Sequence, residues 1–332
     1  MKNIICNLGI AVVICILIPG ILFTSVSSIQ KEVCTVSPPE HTAELAGDST
    51  TDPTEITDAG AKESYSVSVL FDDGHEEIQD LEEYVTSVVL GEMPVSFQEE
   101  AIKAQAVVAR TFSMRRIERR DKHSDGAVCT DPGCCQAYIS PQTYMTEKGG
   151  TEENVEKVRR CVEATAGRVV TYGGEFIEAT YFSSSGGSTE DAVAVWGSEV
   201  PYLQAKECPG EADAHVNTTT LSSDELISLL NLPEEPVTVD HISYTEGKGV
   251  DEISVSGKVF KGTEIRSKLN LCSTMFQMTV MGDHVIITTK GFGHRVGMSQ
   301  YGADAMAKNG ATYEEILAYF YPGTSLNVLG NY

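Results

Sequence analysis

The sequence predicts an α+β fold, and three observations carry that prediction. Helical and strand-like stretches fall in separate runs instead of alternating as βαβ units. Asp80 with Glu83, and Ser96 with Glu99, form capping-box signatures at the start of two apolar-periodic stretches. Gly173-Gly174 interrupts the stretch VVTYGGEFIEATYF (169–182), a hairpin signal between two β-rich runs.

In chain order, Ser64–Phe71 (SYSVSVLF) alternates apolar with polar residues, as an edge strand does. Leu81–Leu90 reads as a helix capped by Asp80 and ended by Gly91, with Pro94 forbidding its continuation. Phe97–Arg119 reads as a second, longer helix, and Thr151–Ala164 as a third. The hairpin at 169–182 follows. Leu221–Leu230 is helical, several strands lie between Thr238 and Lys290, and Gln300–Lys308 and Tyr313–Phe320 are two short closing helices.

Ahead of these elements the composition changes twice. Residues 4–23 (IICNLGIAVVICILIPGILF) form an uncharged apolar run, about the 20 residues a helix needs to span a bilayer. Lys2 precedes it, so the positive-inside rule places residues 1–3 in the cytoplasm and residues 25–332 outside. The rival is a cleaved signal peptide with Ser25, Val26 and Ser27 at its cleavage site, but the apolar run exceeds the usual h-region. Residues 24–63 are rich in Ser, Thr, Pro, Asp and Glu and read as an acidic, flexible tether. The globular part is then 64–332. The expected localisation is a single-pass cell-membrane protein with its ectodomain outside.

The formal charge of the chain is −24. Phosphate backbones require clustered Lys and Arg, so this charge excludes nucleic acid as a partner. A neutral or mildly charged polymer such as a glycan remains compatible.

Two stretches carry chemistry. In Gly91-Glu92-Met93-Pro94, Glu92 sits in a tight turn between two helices. Partial desolvation of a carboxyl fixed there raises its pKa and keeps a proton available, as general-acid catalysis requires. In the Ala- and Val-rich helix that follows, Arg110 must be paired with a carboxylate or aimed at a cleft. The second stretch, HSDGAVCTDPGCC (123–135), puts His123, Cys129, Cys134 and Cys135 in one turn-rich loop. One imidazole and three thiolates suit zinc. Disulfides to Cys34, Cys161, Cys208 or Cys272 are the alternative that an extracellular address permits.

Four blocks carry a resemblance: VVLGEMPVSFQEEAIKAQAVVARTFS (88–113), TYFSSSGGSTEDAVAVWG (180–197), PYLQAKECPGE (201–211) and KGFGHRVGMSQYGADAMAKNG (290–310). Together they resemble the stage II sporulation protein D family, peptidoglycan lytic transglycosylases of endospore-forming bacteria, and also the related amidase-enhancer proteins. The resemblance implies a single ectodomain of two intimately associated lobes around a glycan cleft. It implies Glu92 as the catalytic acid. The substrate would be strands of alternating N-acetylglucosamine and N-acetylmuramic acid, cut without water to 1,6-anhydro ends. Ser183, Ser184, Ser185 and Gly186 on one side, and His294, Gln300 and Tyr301 on the other, would be cleft walls, with Arg110 a further substrate contact. In PYLQAKECPGE this sequence departs from the pattern at Gln204 and Gly210-Glu211.

The resemblance also bears on the cysteine loop. Some clostridial members look as though they carry a zinc site of two histidines and two cysteines there, and Cys134 would replace one histidine. Four protein ligands leave no open position, so that zinc would be structural. The implied partner is an amidase, stage II sporulation protein P, acting during forespore engulfment at the mother-cell membrane. The competing functions are a non-catalytic glycan-binding enhancer of an amidase, and a zinc hydrolase, which the closed ligand set and the absence of an HExxH helix disfavour.

Overall fold

The computed structural model describes residues 65–211, 215–233 and 236–330. The expected anchor at 4–23 and tether at 24–63 lie outside the described residues. Among the described residues no helix is long and apolar enough to cross a membrane. That finding overturns the expected localisation as a single-pass membrane protein.

The mixed α and β architecture is present. Strand β1 (Ser66–Leu70) turns back into β2 (Glu76–Asp80), burying Val67 and Val69 on the period-2 face. Helix α1 (Leu81–Glu92) begins where the Asp80 carboxylate accepts the Glu82 and Glu83 N–H groups. It differs from the sequence expectation at its end. The helix runs through Gly91 and stops at Glu92, because Met93 is extended and Pro94 follows.

Helix α2 (Glu99–Arg119) also starts later than expected. Its N-cap is Gln98, not Ser96, and the Gln98 side chain makes no capping bond. Asp304 supplies the acceptor instead, taking the Gln98 N–H at 2.8 Å. Buried Ala101, Ala104, Ala106, Val107, Val108 and Ala109 make α2 the central helix, since small side chains let neighbours approach closely.

Strand β3 (Val128–Cys129) then joins β1 in parallel. Helix α3 (Pro141–Glu147) precedes α4 (Glu152–Ala164), which Thr151 and Asn154 open with a reciprocal capping box. The hairpin of β4 (Arg168–Tyr172) and β5 (Glu175–Phe176) turns on Gly173 and Gly174 at φ 60° and 86°. Both values belong to the left-handed region that a two-residue hairpin turn demands. The returning strand ends at Phe176, earlier than the sequence suggested. Tyr181–Phe182 forms a separate strand, β6, and Ala192–Trp196 the short helix α5.

A second group of elements follows: β7 (Val216–Ser222), α6 (Ser223–Leu230), β8 (Val239–Tyr244), β9 (Val250–Val255), β10 (Lys258–Lys261), α7 (Gly262–Lys268), β11 (Phe276–Met281) and β12 (His284–Lys290). They make two antiparallel sheets, β10-β9-β8 and β11-β12-β7. Between them lies a core of its own that includes Leu226, Leu230, Ile253, Phe260, Ile265 and Ile287. The chain then returns to the first core through β13 (Met298–Ser299), α8 (Gln300–Lys308), α9 (Tyr313–Phe320) and β14 (Ser325–Val328). There β13 pairs in parallel with β6, and β14 antiparallel with β4.

One side chain ties the two regions together. Arg295, fully buried and at φ 67°, donates to the carbonyls of Ser185 (2.9 Å), Ser188 (2.7 Å) and Gly247 (2.6 Å) and to Glu190 Oε1 (2.9 Å). Glu190 Oε1 also accepts from Thr245 Oγ1 at 2.8 Å and from the Gly249 N–H at 2.9 Å. The buried pair therefore staples three loops at the junction.

Candidate functional site

Glu92 is the last residue of α1, and its position follows from Gly91. A Cβ on Gly91 would stand 3.0 Å from the backbone of Ala137 and Tyr138. Lacking one, α1 lies directly against that segment, and the Glu92 carboxylate accepts the Ala137 N–H at 2.6 Å. The segment is fixed on both flanks. Gln136 donates to Ser113 Oγ at 3.0 Å, and the Ile139 N–H reaches the Ser87 carbonyl at 3.0 Å. Gly91→Ala should therefore cost about 1 kcal/mol of stability where a helical Gly→Ala change ordinarily gains that much. It should also weaken any activity of Glu92, which a denaturation curve and an activity assay on one preparation would separate.

Burial raises the Glu92 pKa above its ordinary 4.5, and the Ala137 N–H and the Tyr181 hydroxyl only partly oppose it. Tyr181 is itself buried and held well above its ordinary pKa, chiefly by desolvation and then by the Glu92 charge. It therefore stays a neutral hydroxyl, donating to Gln136 Oε1 at 3.0 Å.

Glu92 opens into a cleft of about 530 Å³ whose lining includes Tyr181, Ser183, His215, His294, Gln300 and Tyr301. Glu92 is the one Asp or Glu among the lining residues. Burial, then the charge of Arg266, depresses His294 to about pKa 4, so its ring is neutral at pH 7. Its Nδ1 accepts the Val296 N–H at 3.1 Å, which places the proton on Nε2. Gln300 is steadied from behind, donating to Gln105 Oε1 at 3.3 Å.

The structure thus brings together Glu92, Ser183, His294, Gln300 and Tyr301. It does not bring Arg110, Ser184, Ser185 or Gly186 to this cleft. Arg110 is 0% exposed and is paired with Glu82, with a further bond to the Arg168 carbonyl at 2.9 Å. Of the two roles its burial allowed, the carboxylate partner is the one realised. Ser184 and Ser185 are fully buried, because Arg295 and Glu211 draw their loop inward; Glu211 accepts the Ser185 N–H and the Ser299 hydroxyl. Gly186 faces the far side of the same loop.

One cleft residue, His215, and one residue beside the cleft, Trp196, escaped the sequence reading. His215 packs edge-on against Tyr301 at 4.9 Å between ring centroids. Trp196, 46% exposed, lies 5.5 Å from the His294 ring. Trp196 is the sole tryptophan of the chain and sits inside one of the quoted blocks, which was a usable signal. His215 had none.

The loop 123–135 ends at the residues just before Ala137. The ligating atoms of His123, Cys129, Cys134 and Cys135 all lie within 4.8 Å of one another, with Cys134 Sγ 3.6 Å from His123 Nε2. Such a group could hold a metal ion. The cysteines among the described residues form no disulfide, and Cys34 lies outside the described residues.

The chain is 39% identical over 254 residues to stage II sporulation protein D of Bacillus subtilis, covering 74% of each chain. It belongs to the stage II sporulation protein D family. The Bacillus amyloliquefaciens protein of the same name is 38% identical over the same share. The family model described as "Stage II sporulation protein" matches residues 75–172. That span holds α1, α2, Glu92 and all four His/Cys residues, while Ser183, His294, Gln300 and Tyr301 lie beyond it. An amidase enhancer of Bacillus subtilis is 31% identical over 72% of this chain but only 39% of its own length. Membership of the family ties the protein to sporulation.

Proposed function

We propose that this protein is a peptidoglycan lytic transglycosylase, with Glu92 as its acid and then its base. The carrying observation is a single buried carboxyl, of raised pKa, in a cleft that has no second carboxylate among its lining residues. The usual glycosidases need two carboxylates flanking the bond, one of them serving the water or forming a covalent intermediate. One is enough when the sugar supplies its own nucleophile. Glu92 protonates the glycosidic oxygen as the C1–O bond of the muramoyl residue breaks. The C6 hydroxyl of that residue then bonds to C1 and returns its proton to Glu92, leaving a 1,6-anhydro end. Neutral His294, Ser183, Gln300 and Tyr301 offer donors and acceptors for sugar hydroxyls and acetamido groups.

In the same reading the His/Cys cluster holds one structural zinc ion. Zinc–sulfur bonds of about 2.3 Å in a tetrahedral site match a donor set this compact, and four protein ligands leave no place for water. The bound ion would fix the segment that presents the Ala137 N–H to Glu92. Metal analysis of the full chain should give one zinc per molecule. Stripping it with a chelator should lower the melting temperature by about 5 °C or more and reduce cleavage. A metal-free protein with oxidised thiols would reject the assignment.

The amidase-enhancer relative favours a second reading, a non-catalytic glycan binder that assists an amidase. It also supports an amidase as partner in either case, the family resemblance pointing to stage II sporulation protein P. Digestion of peptide-free strands by the full chain, with mass analysis of the ends, separates these. Anhydro ends support the transglycosylase, reducing ends mean hydrolysis, and intact strands leave the enhancer.

A further inference from the structure

A second groove lies back to back with the Glu92 cleft. It encloses about 710 Å³, and Gly186, Glu207, Lys248, Gln277, Thr288 and Lys290 are among its lining residues. The wall between the two is thin. Ser184 and Phe292 exchange backbone hydrogen bonds across it, at 3.1 and 2.7 Å. Ser183 and Phe292 face the cleft, whereas Gly186 and Lys290 face the groove. Lys290 precedes Phe292 by two residues, with Gly291 at φ 80° turning the chain between them. A Cβ on Gly186 would meet Lys290 Cβ at 3.0 Å, so the loop sits flat on the strand there.

The two cavities differ in charge. No Lys or Arg lines the cleft, but the groove has two lysines. Lys248 is already satisfied by Glu207, at 2.6 Å. Among the described residues Lys290 makes no ion pair. Strand alternation turns Val285, Ile287 and Thr289 inward and leaves Thr288 and Lys290 on the outer face of β12. Gln277 of β11 stands opposite Thr288 in the register. An ammonium, a hydroxyl and an amide therefore share one outward face, which is the donor set for a carboxylate and its neighbouring polar groups.

We propose that this groove is a separate site that binds a carboxylate-bearing sugar through Lys290, the free lactyl carboxylate of an N-acetylmuramic acid residue. The inference rests on the glycan reading above and adds a basis for choosing muramic acid over a neutral polymer of N-acetylglucosamine. A chain with a formal charge of −24 repels an anionic strand, so recognition of its carboxylates requires a local cation.

The test uses the full chain carrying Glu92→Gln, so that ligand is not consumed. Calorimetric titration compares a tetrasaccharide of alternating N-acetylglucosamine and N-acetylmuramic acid, its lactyl carboxyls free, with the neutral N-acetylglucosamine tetramer. Adding Lys290→Gln should weaken the muramyl ligand about fivefold, leave the neutral tetramer unchanged, and flatten the salt dependence of muramyl binding. Lys290→Arg should restore affinity. Equal weakening of both ligands, or of neither, overturns the proposal while leaving the glycan reading intact. Binding of neither tetrasaccharide by the Glu92→Gln chain itself overturns the glycan reading, and this inference with it.

Discussion

Glu92→Gln should lower the release of anhydro-muramoyl ends by about 10²–10⁴-fold, the usual worth of a general acid, with the chain still folded. Glutamine keeps the shape and can still accept the Ala137 N–H, so the hydrogen bond that holds the segment survives. What it loses is the proton. The raised pKa gives the loss a pH signature in the parent protein. Cleavage needs the protonated acid, so activity should fall as pH rises through the elevated folded pKa of Glu92. Stability moves the same way. Below the unfolded value of 4.5 the group is protonated in both states and costs nothing. As pH climbs past it, the unfolded chain ionises first and gains, so this residue's contribution declines until the folded pKa is passed. Glu92→Gln removes that decline, and its stability relative to the parent should improve from acid to neutral pH. Undiminished anhydro product from the variant would end the assignment.

Arg295→Met should cost about 3–5 kcal/mol of folding stability, read from denaturant unfolding. Methionine fills much of the volume but donates nothing. It leaves Glu190 buried without its cation, and the carbonyls of Ser185, Ser188 and Gly247 without their donor. The penalty comes mainly from the stranded carboxylate, not from the lost attraction. A double variant, Arg295→Met with Glu190→Gln, should therefore recover part of it. A single variant within about 1 kcal/mol of the parent would mean that water reaches the junction and that the pair is no staple.

The sequence made the helices of the first core legible where local chemistry sets their ends. Asp80 caps α1 through its own side chain, and α8 and α9 fall where their apolar periodicity put them. It could not reveal an end made by a distant residue. The sequence puts the α2 start too early because the acceptor there comes from Asp304, and no local signal at Ser96–Gln98 announces that. The same limit governs the site. Glu92 stood out through its Gly and Pro neighbours, but Ala137, which holds its carboxylate, is unmarked. Gly91 reads as a helix terminator in the sequence, yet its role is to admit a backbone segment 46 positions further on. The resemblance makes Ser183–Gly186 a cleft wall, but the tertiary pull of Arg295 and Glu211 buries its centre. Arg110 could be called paired or poised, and the carboxylate that decides the matter lies 28 residues earlier.

The acceptor that Asp304 lends to Gln98 has a consequence for how the molecule is made. During synthesis the central helix leaves the ribosome some two hundred residues before the group that finishes its first turn. The strands that complete the same half, β13 and β14, emerge close to it in chain order. A nascent chain, or one terminated ahead of residue 304, therefore lacks the acceptor at the start of that helix and the strands that pair with β6 and β4. The start of the central helix is therefore finished only once residue 304 has been made, however much of the first half has already emerged.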